Sequence, residues 1–172
     1  MPIPEGKLYQ DGNLGAGTVA TLEPAIINSE TAGADINFGT GVTIEDGKVV
    51  PATKGKIFGV ALKRTYSMTD NFDESAVQAD HWYTGETFGV LRDGTISVPI
   101  SSDVDVNDMA AVDADGKFKT AGTGDEVVGV FLSAGNEGST ANMQTRIQFG
   151  TPSANSSSTK STSSTDTGKD DK

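Results

Sequence analysis

The residues of this chain best suited to metal chemistry form an alternating acidic run. Asp103, Asp105, Asn107 and Asp108 place oxygen-bearing side chains at nearly every second position, which is the kind of ligand that a hard cation such as calcium prefers. The run departs from the EF-hand pattern, which needs Gly where Asp108 stands and a bidentate Glu where Ala114 stands. A solvated polar connection therefore explains these residues better, and weak cation binding is the alternative.

A catalytic centre is harder to assemble from this sequence. His81 is the single histidine and cysteine is absent, so a zinc site would need carboxylates alone, and every serine would depend on one base. The acid pair Asp73-Glu74 fits a solvated loop or helix start, and Glu45-Asp46 fits a turn. The glycine pairs at Gly15-Ala-Gly17 and Gly122-Thr-Gly124 lack the helix that a phosphate-binding loop requires. We expect no enzyme activity, no bound metal and no cofactor.

Interaction with a partner is better supported by the aromatic and arginine residues, since these types dominate protein interfaces. Trp82 and Tyr83, next to His81, suit either an interface or the core. The candidate partner interface comprises Met1, Pro2, Ile3, Pro4, Leu8, Tyr9, Phe72, Trp82, Tyr83 and Arg92.

A motif that occurs twice supplies the elements that must position these residues. Residues 42–48 lead into Phe58-Gly-Val-Ala-Leu62, and residues 112–117 lead into Val128-Gly-Val-Phe-Leu132. From the aspartate of the Asp-Gly pair to the glycine of the Gly-Val pair is 13 residues in the first copy and 14 in the second. Asp-Gly between apolar runs favours a type I′ hairpin turn, and the alternation that follows is typical of a strand. We therefore predict a duplicated β-unit.

Further signals extend this prediction along the chain. In each copy the glycine of the Gly-Val pair, Gly59 or Gly129, leaves room for close backbone approach or a bulge. A third pair, Asp93-Gly94, predicts another hairpin between Phe88–Arg92 and Thr95–Val98 by the same turn rule. Other strand candidates are Gly15–Leu22 as an edge strand, short buried runs at Ile26-Ile27 and Ile36–Phe38 separated by a loop, and the segments 88–100, 109–118, 126–132 and 145–149.

The fold class that results is all-β: an antiparallel barrel or sandwich built from hairpins, with an internal duplicated β-unit and at most one short helix. That helix would lie within residues 66–81, where Thr69 or Asp70 could cap it, and a projecting loop is the alternative. We divide the chain into an extended N-terminal arm (1–20), one all-β domain (21–150) and a C-terminal tail (151–172). The tail holds 7 Ser and 5 Thr in 22 positions and is predicted to be disordered because it has little apolar surface to bury.

Charge and hydropathy exclude several classes of partner. The net charge of -11 lies entirely on residues 1–150, where 21 acids face 10 bases. Such an acidic body repels phosphate backbones, so we expect no nucleic acid partner, and it complements a basic protein surface. The sequence contains no apolar window long enough for a membrane span and no signal peptide pattern. We therefore expect synthesis in the cytoplasm, with release only by lysis.

The second copy of the motif carries a family resemblance. Residues 100–118, followed by Gly122-Thr-Gly124 and Val127–Val130, resemble the small capsid decoration, or head cement, proteins of tailed bacteriophages, and residues 47–61 resemble the same unit. The resemblance covers roughly residues 40–150. It implies an all-β protein that binds the outer surface of the shell formed by the major capsid protein, and that forms homotrimers at local three-fold positions in the virion.

The resemblance gives the interface candidates a meaning, because the arm would act as a strap onto the capsid or onto a neighbouring copy. Residues 66–81 and the Ser/Thr-rich tail depart from the shorter members of that family. The alternative function is a β-rich glycan- or receptor-binding module of a virion fibre or bacterial surface, with Trp82 and Tyr83 as stacking platforms.

Overall fold

The computed structural model describes residues 14–64 and 81–147, and these ranges contain strands, turns and bends but no helix. No helix in this part of the chain is long and apolar enough to cross a membrane. The strands are β1 (Ile26–Thr31), β2 (Ile36–Asn37), β3 (Gly41–Glu45), β4 (Lys48–Pro51), β5 (Gly59–Ala61), β6 (His81–Trp82), β7 (Thr87–Pro99), β8 (Met109–Val112), β9 (Phe118–Thr120), β10 (Gly129–Phe131) and β11 (Thr140–Thr145). The all-β prediction is confirmed.

Nine of these strands form one curled antiparallel sheet, and β2 pairs with β6 in a second, small sheet. The order in the large sheet is β4-β3-β5-β7-β11-β10-β8-β9, with β1 also paired to β7. One end of this order is the hairpin β4-β3 followed by β5, and the other end is the hairpin β9-β8 followed by β10. The sheet therefore contains two copies of one arrangement, and the copies are joined through β7. We call β1, β3, β4, β5 and residues 87–93 of β7 unit 1, and residues 94–99 of β7, β8, β9, β10 and β11 unit 2.

The duplication extends to individual hydrogen bonds. Val42 pairs with Gly59 in unit 1, and Ala110 pairs with Gly129 in unit 2. The same two residues also pair across their hairpins, Val42 with Pro51 and Ala110 with Thr120. The residue after each glycine pairs with the next strand of the sheet, Val60 with Leu91 and Val130 with Gln144. The positions equivalent on this basis include Gly41 and Met109, Val42 and Ala110, Val60 and Val130, Leu62 and Leu132, and Leu91 and Gln144.

The two Asp-Gly turns of the motif differ in geometry. Asp46 and Gly47 both have positive φ, 49° and 75°, as the type I′ turn between β3 and β4 requires. In unit 2 only Gly116 has positive φ, and its N–H donates to the carbonyl of Asp113 at 3.0 Å. The Asp113 N–H also donates to the carbonyl of Lys117 at 2.8 Å, so the loop of the second hairpin is Ala114–Gly116, one residue longer than the two-residue loop of the first.

The hairpin predicted at Asp93-Gly94 is wrong. β7 runs through both residues without turning, and Gly94 has a φ of 141° that favours glycine. The strand segments on either side of Gly94 pair with partners from elsewhere in the chain, β1 and β5 before it and β11 after it. Because these longer-range ladders satisfy the backbone, the two halves of β7 do not fold back on each other.

Each unit has two faces, a front face and a rear face. The front face carries Val42, Ala61 and Val90 in unit 1 and their equivalents in unit 2; the rear face carries the residues that alternate with them. The rear face of unit 1, with Val60 and Leu91, shares the main core with the front face of unit 2, whose members include Ala110, Phe131 and Met143. The front face of unit 1 packs with Ile36 and Trp82 in a second core cluster.

Several predicted boundaries need correction. Ile26 and Ile27 are 49% exposed instead of buried, and β1 continues to Thr31 where a loop was predicted. The last strand begins at Thr140, and residues 146–147 lie beyond it. Within the predicted edge strand Gly15–Leu22, the structure has an isolated antiparallel bridge from Val19 to Ile96 instead of a strand. The proposed helix or loop of residues 66–81 falls almost entirely outside the described residues, as do most of the arm and the whole tail.

Candidate interaction surface

Trp82 is held in an aromatic cluster where the two sheets meet. Its ring stacks on Phe88 at a centroid distance of 5.4 Å and meets Phe38 edge-on at 5.7 Å. The indole Nε1–H donates to the carbonyl of Leu62 at 2.8 Å, and the Arg64 guanidinium lies 4.3 Å over the ring. These contacts place Trp82 in the core, half-buried, with its ring faces engaged by neighbours. A glycan-stacking role for this residue is not supported.

Tyr83 is more accessible than Trp82. It is 46% exposed and meets His81 edge-to-face at 4.5 Å. The Glu86 carboxylate accepts a hydrogen bond from the Tyr83 backbone N–H at 2.9 Å and also pairs with Arg64, which fixes the backbone at this position. Among the candidates that the structure describes, Tyr83 therefore offers the most exposed aromatic area.

The turn after Tyr83 is fastened by Asp35. The Thr84 backbone N–H and hydroxyl donate to the Asp35 carboxylate at 2.9 and 3.0 Å. These hydrogen bonds hold the pKa of Asp35 below its usual value, with a smaller contribution from His81. The carboxylate thus serves to join the β2 and β6 segments.

Arg92 lies against an aromatic ring as well. Its guanidinium is 3.9 Å from the centroid of the Phe58 ring, and the residue is half-buried on β7. This cation–π contact explains the arginine through packing within the chain. The other interface candidates, which are Met1, Pro2, Ile3, Pro4, Leu8, Tyr9 and Phe72, lie outside the described residues.

The carboxylates of the acidic run before β8 accept hydrogen bonds that hold the surrounding turns. Asp103 accepts from the backbone N–H of Glu137 at 2.7 Å, and Asp108 accepts from the Asp105 N–H at 3.1 Å and the Thr120 hydroxyl at 2.8 Å. Within residues 14–64 and 81–147, no three acidic, histidine or cysteine side chains are placed to hold a metal ion. The solvated connection is the interpretation that these hydrogen bonds support.

Sequence reasoning missed an apolar surface on the rear face of unit 2. Met109 on β8 is directly paired with Val130 on β10, and Leu132 follows on the same face, so the three side chains form a row. Met109 is 52% and Leu132 is 42% exposed. Beside them, Val127, Gln144 and Arg146 help to line a hollow of about 240 Å³. The alternation in Val128-Gly-Val-Phe-Leu132 predicted that Val130 and Leu132 share a face. It did not predict that this face is partly exposed and that Phe131, on the opposite face, is buried.

The curled sheet has the same fold as proteins of phage heads. A chain from the capsid of Myoviridae phage XM1 matches with a TM-score of 0.58 and 14% identity, covering 85% of this chain and 98% of the other. The N base of the head fiber gp8.5 of bacteriophage phi29 matches with a TM-score of 0.52 and 13% identity, covering 73% of this chain and 100% of the other. Among curated proteins, no match is found.

The sequence itself matches the family model described as structural cement protein (E217 gp24/Pam3 gp6) over residues 8–146. This match spans both units and most of the chain. The chain belongs to the family of phage structural cement proteins, and it is accordingly a structural component of the phage capsid, in association with the capsid shell. The predicted family resemblance is confirmed.

Proposed function

We propose that this protein binds the outer surface of the major capsid protein shell and stabilises the mature head. The match of both units to the structural cement family is the observation that carries the proposal. The role requires no catalysis, and we propose that the protein is not an enzyme. Synthesis in the host cytoplasm, before attachment to the shell, belongs to the same proposal.

Stabilisation of this kind follows from mass action. A protein that binds the assembled, expanded shell but not its dissociated subunits lowers the free energy of the shell by its binding free energy. Many symmetry-related copies act on one particle, so a modest contact per copy has a large total effect. We further propose that the protein acts as a homotrimer at local three-fold positions.

The test is addition of the purified protein to capsids that lack it. Saturable binding at many sites per particle, with a rise in the temperature at which the particles disrupt, is the expected result. Absence of binding to such capsids would contradict the proposal. A mass measurement of the free protein in solution distinguishes a trimer from a monomer. A monomer at high concentration would contradict a homotrimer in solution, and the capsid surface would then be the only place left where a trimer could form.

A further inference from the structure

The duplicated architecture leaves one sheet face without the cover that its equivalent has. In unit 1 the rear-face residues Val60 and Leu91 are fully buried, because the front face of unit 2 packs against them. The rear face of unit 2 has the same backbone geometry, with Val130 at the position of Val60. It lies outside the main core, and its row of side chains is partly exposed.

This face keeps an apolar character although it is exposed. Leu132 stands at the position of Leu62, and Met109 stands where unit 1 has Gly41. A methionine that is 52% exposed at a position where unit 1 has only a hydrogen atom is not needed for packing within the chain. Flexible, polarisable methionine side chains suit binding surfaces, and apolar rows rimmed by polar residues mark protein contacts.

The surrounding charge is strongly acidic. Residues 14–64 hold five acids and five bases, a net charge of zero, whereas residues 81–147 hold ten acids and four bases, a net charge of -6. Of those four bases, Arg92 packs on Phe58, Lys119 forms an ion pair with Asp125 at 3.0 Å, and Arg146 helps to line the hollow beside the row. The exposed carboxylate of Asp105 lies in the loop that leads directly into Met109. The acidic half of the molecule is therefore the half that carries the partly exposed apolar row.

We propose that the rear face of unit 2, centred on Met109, Val130 and Leu132, is the surface that docks on the capsid shell. This proposal rests on the proposed function. The partner is a protein surface with apolar side chains at its centre and Lys or Arg side chains around them. Apolar contact supplies affinity, and charge complementarity supplies orientation and rate of encounter.

The first test compares substitutions matched for exposure. Leu132→Gln combined with Met109→Gln removes the centre of the row, and Ile44→Gln, at a side chain that is also 42% exposed but lies in unit 1, is the control. We expect capsid binding to weaken about tenfold or more for the double variant, as for central interface residues, and to stay unchanged for Ile44→Gln. Equal binding by all three proteins would overturn the assignment of the face. If the wild-type protein itself does not bind capsids, it is the proposed function that fails.

A second test uses the unaltered full-length protein. The thioether of Met109 is accessible to hydrogen peroxide, whereas Met143 is fully buried, so oxidation to sulfoxide followed by mass spectrometry reports on cover at this face. We expect fast oxidation of Met109 in the free protein and protection on capsids. Protection in the free protein would overturn the proposal, because the face would be covered by another part of this chain or by a second copy. Unchanged oxidation on capsids would overturn it as well.

A third test addresses the charge. Asp105→Lys is expected to slow association with capsids and to weaken its dependence on salt, since a complementary attraction is lost. Glu23→Lys, an equal change of charge at an exposed position that precedes β1 and lies outside unit 2, is the control. The same loss for both variants would show an effect of net charge alone and would contradict docking by this face.

Discussion

The α-carbon of Gly59 lies directly against the carbonyl oxygen of Leu91, so closely that a Cβ atom on Gly59 would overlap with that oxygen. The equivalent glycine of unit 2 repeats the relationship, since a Cβ on Gly129 would lie 2.5 Å from the carbonyl oxygen of Gln144. The close approach expected from the sequence is confirmed in both copies. The glycines hold the third strand of each unit at its place in the ladder.

Substitution of either glycine should therefore destabilise the fold. We expect Gly59→Ala and Gly129→Ala each to lower the free energy of unfolding by about 2–3 kcal/mol, because backbone must move to admit the methyl group. Gly122→Ala is the matched control, since its Cβ would meet only the Asp125 carboxylate, at 3.5 Å. Urea denaturation of the three variants checks the prediction, and a loss at Gly122 as large as at Gly59 would contradict it.

The two hairpin turns should respond with opposite sign to the same change. Asp46 has a φ of 49°, so Asp46→Gly relieves a left-handed conformation and should be neutral or stabilising by up to about 1 kcal/mol. Asp115 is not among the described residues with positive φ. Asp115→Gly should then be destabilising by about 0.5–1 kcal/mol through added freedom of the unfolded chain. Thermal unfolding of both variants gives the answer, and a stabilising Asp115→Gly would refute the difference in turn geometry.

Trp82 and Tyr83 should separate core packing from surface exposure. Trp82→Ala removes the stack on Phe88 and the hydrogen bond to Leu62, and we expect a loss of about 2–4 kcal/mol. Tyr83→Ala should cost less than about 1 kcal/mol, because that ring is 46% exposed. The measurement is chemical denaturation followed by circular dichroism. Similar losses for the two variants would mean that Trp82 does not belong to the core.

Acid should weaken the fold through the Lys119–Asp125 pair. The hydrogen bond from Lys119, followed by that from the Gly122 N–H, lowers the pKa of Asp125 from 3.8. Asp125 in turn raises the pKa of Lys119 from 10.5. The carboxylate contributes stability above its unfolded pKa, and this is lost as pH falls through the lower folded value; the lysine contribution is lost as pH rises past 10.5. Asp113 and Asp35 act in the same acidic direction.

The check is the stability of Asp125→Asn between pH 7 and pH 2. We expect the variant to differ from the wild type at neutral pH and to approach it as the pH falls below 3.8 and through the lowered folded pKa of Asp125, where the wild-type carboxylate becomes protonated. The Lys119→Met background supplies the control through a double-mutant cycle, because the difference should shrink when the partner is absent. A difference between the two proteins that does not vary with pH would exclude the ion pair as the cause.

Turn residues and apolar spacing in the sequence correctly predicted those features of the fold that depend on neighbouring residues. The hairpin at Asp46-Gly47, the duplicated unit and the burial of Ile36 and Phe38 depend on turn chemistry and on apolar spacing. The same rule failed at Asp93-Gly94, because strand partners distant in sequence override a turn propensity. Propensity alone does not reveal which partners a strand will find.

The exposed row on unit 2 was outside the reach of sequence reasoning for a related reason. Val60 and Val130 occupy equivalent positions in equivalent sequences, yet only the rear face of unit 1 is buried in the main core. That difference arises from how the units pack on each other. Trp82 shows the reverse case, because its residue type suits an interface and a core equally well, and only the positions of Phe88 and Arg64 decide between them.

β7 belongs to both units at once, since residues 87–93 complete the first and residues 94–99 begin the second. A cut between Asp93 and Gly94 would leave the strands of each unit whole, but it would divide the main core, to which both units contribute side chains. We therefore do not expect the halves to fold as separate modules, although their hydrogen-bond registers match. They should fold and unfold in a single cooperative step, and at the rate of their slowest long-range strand pairing.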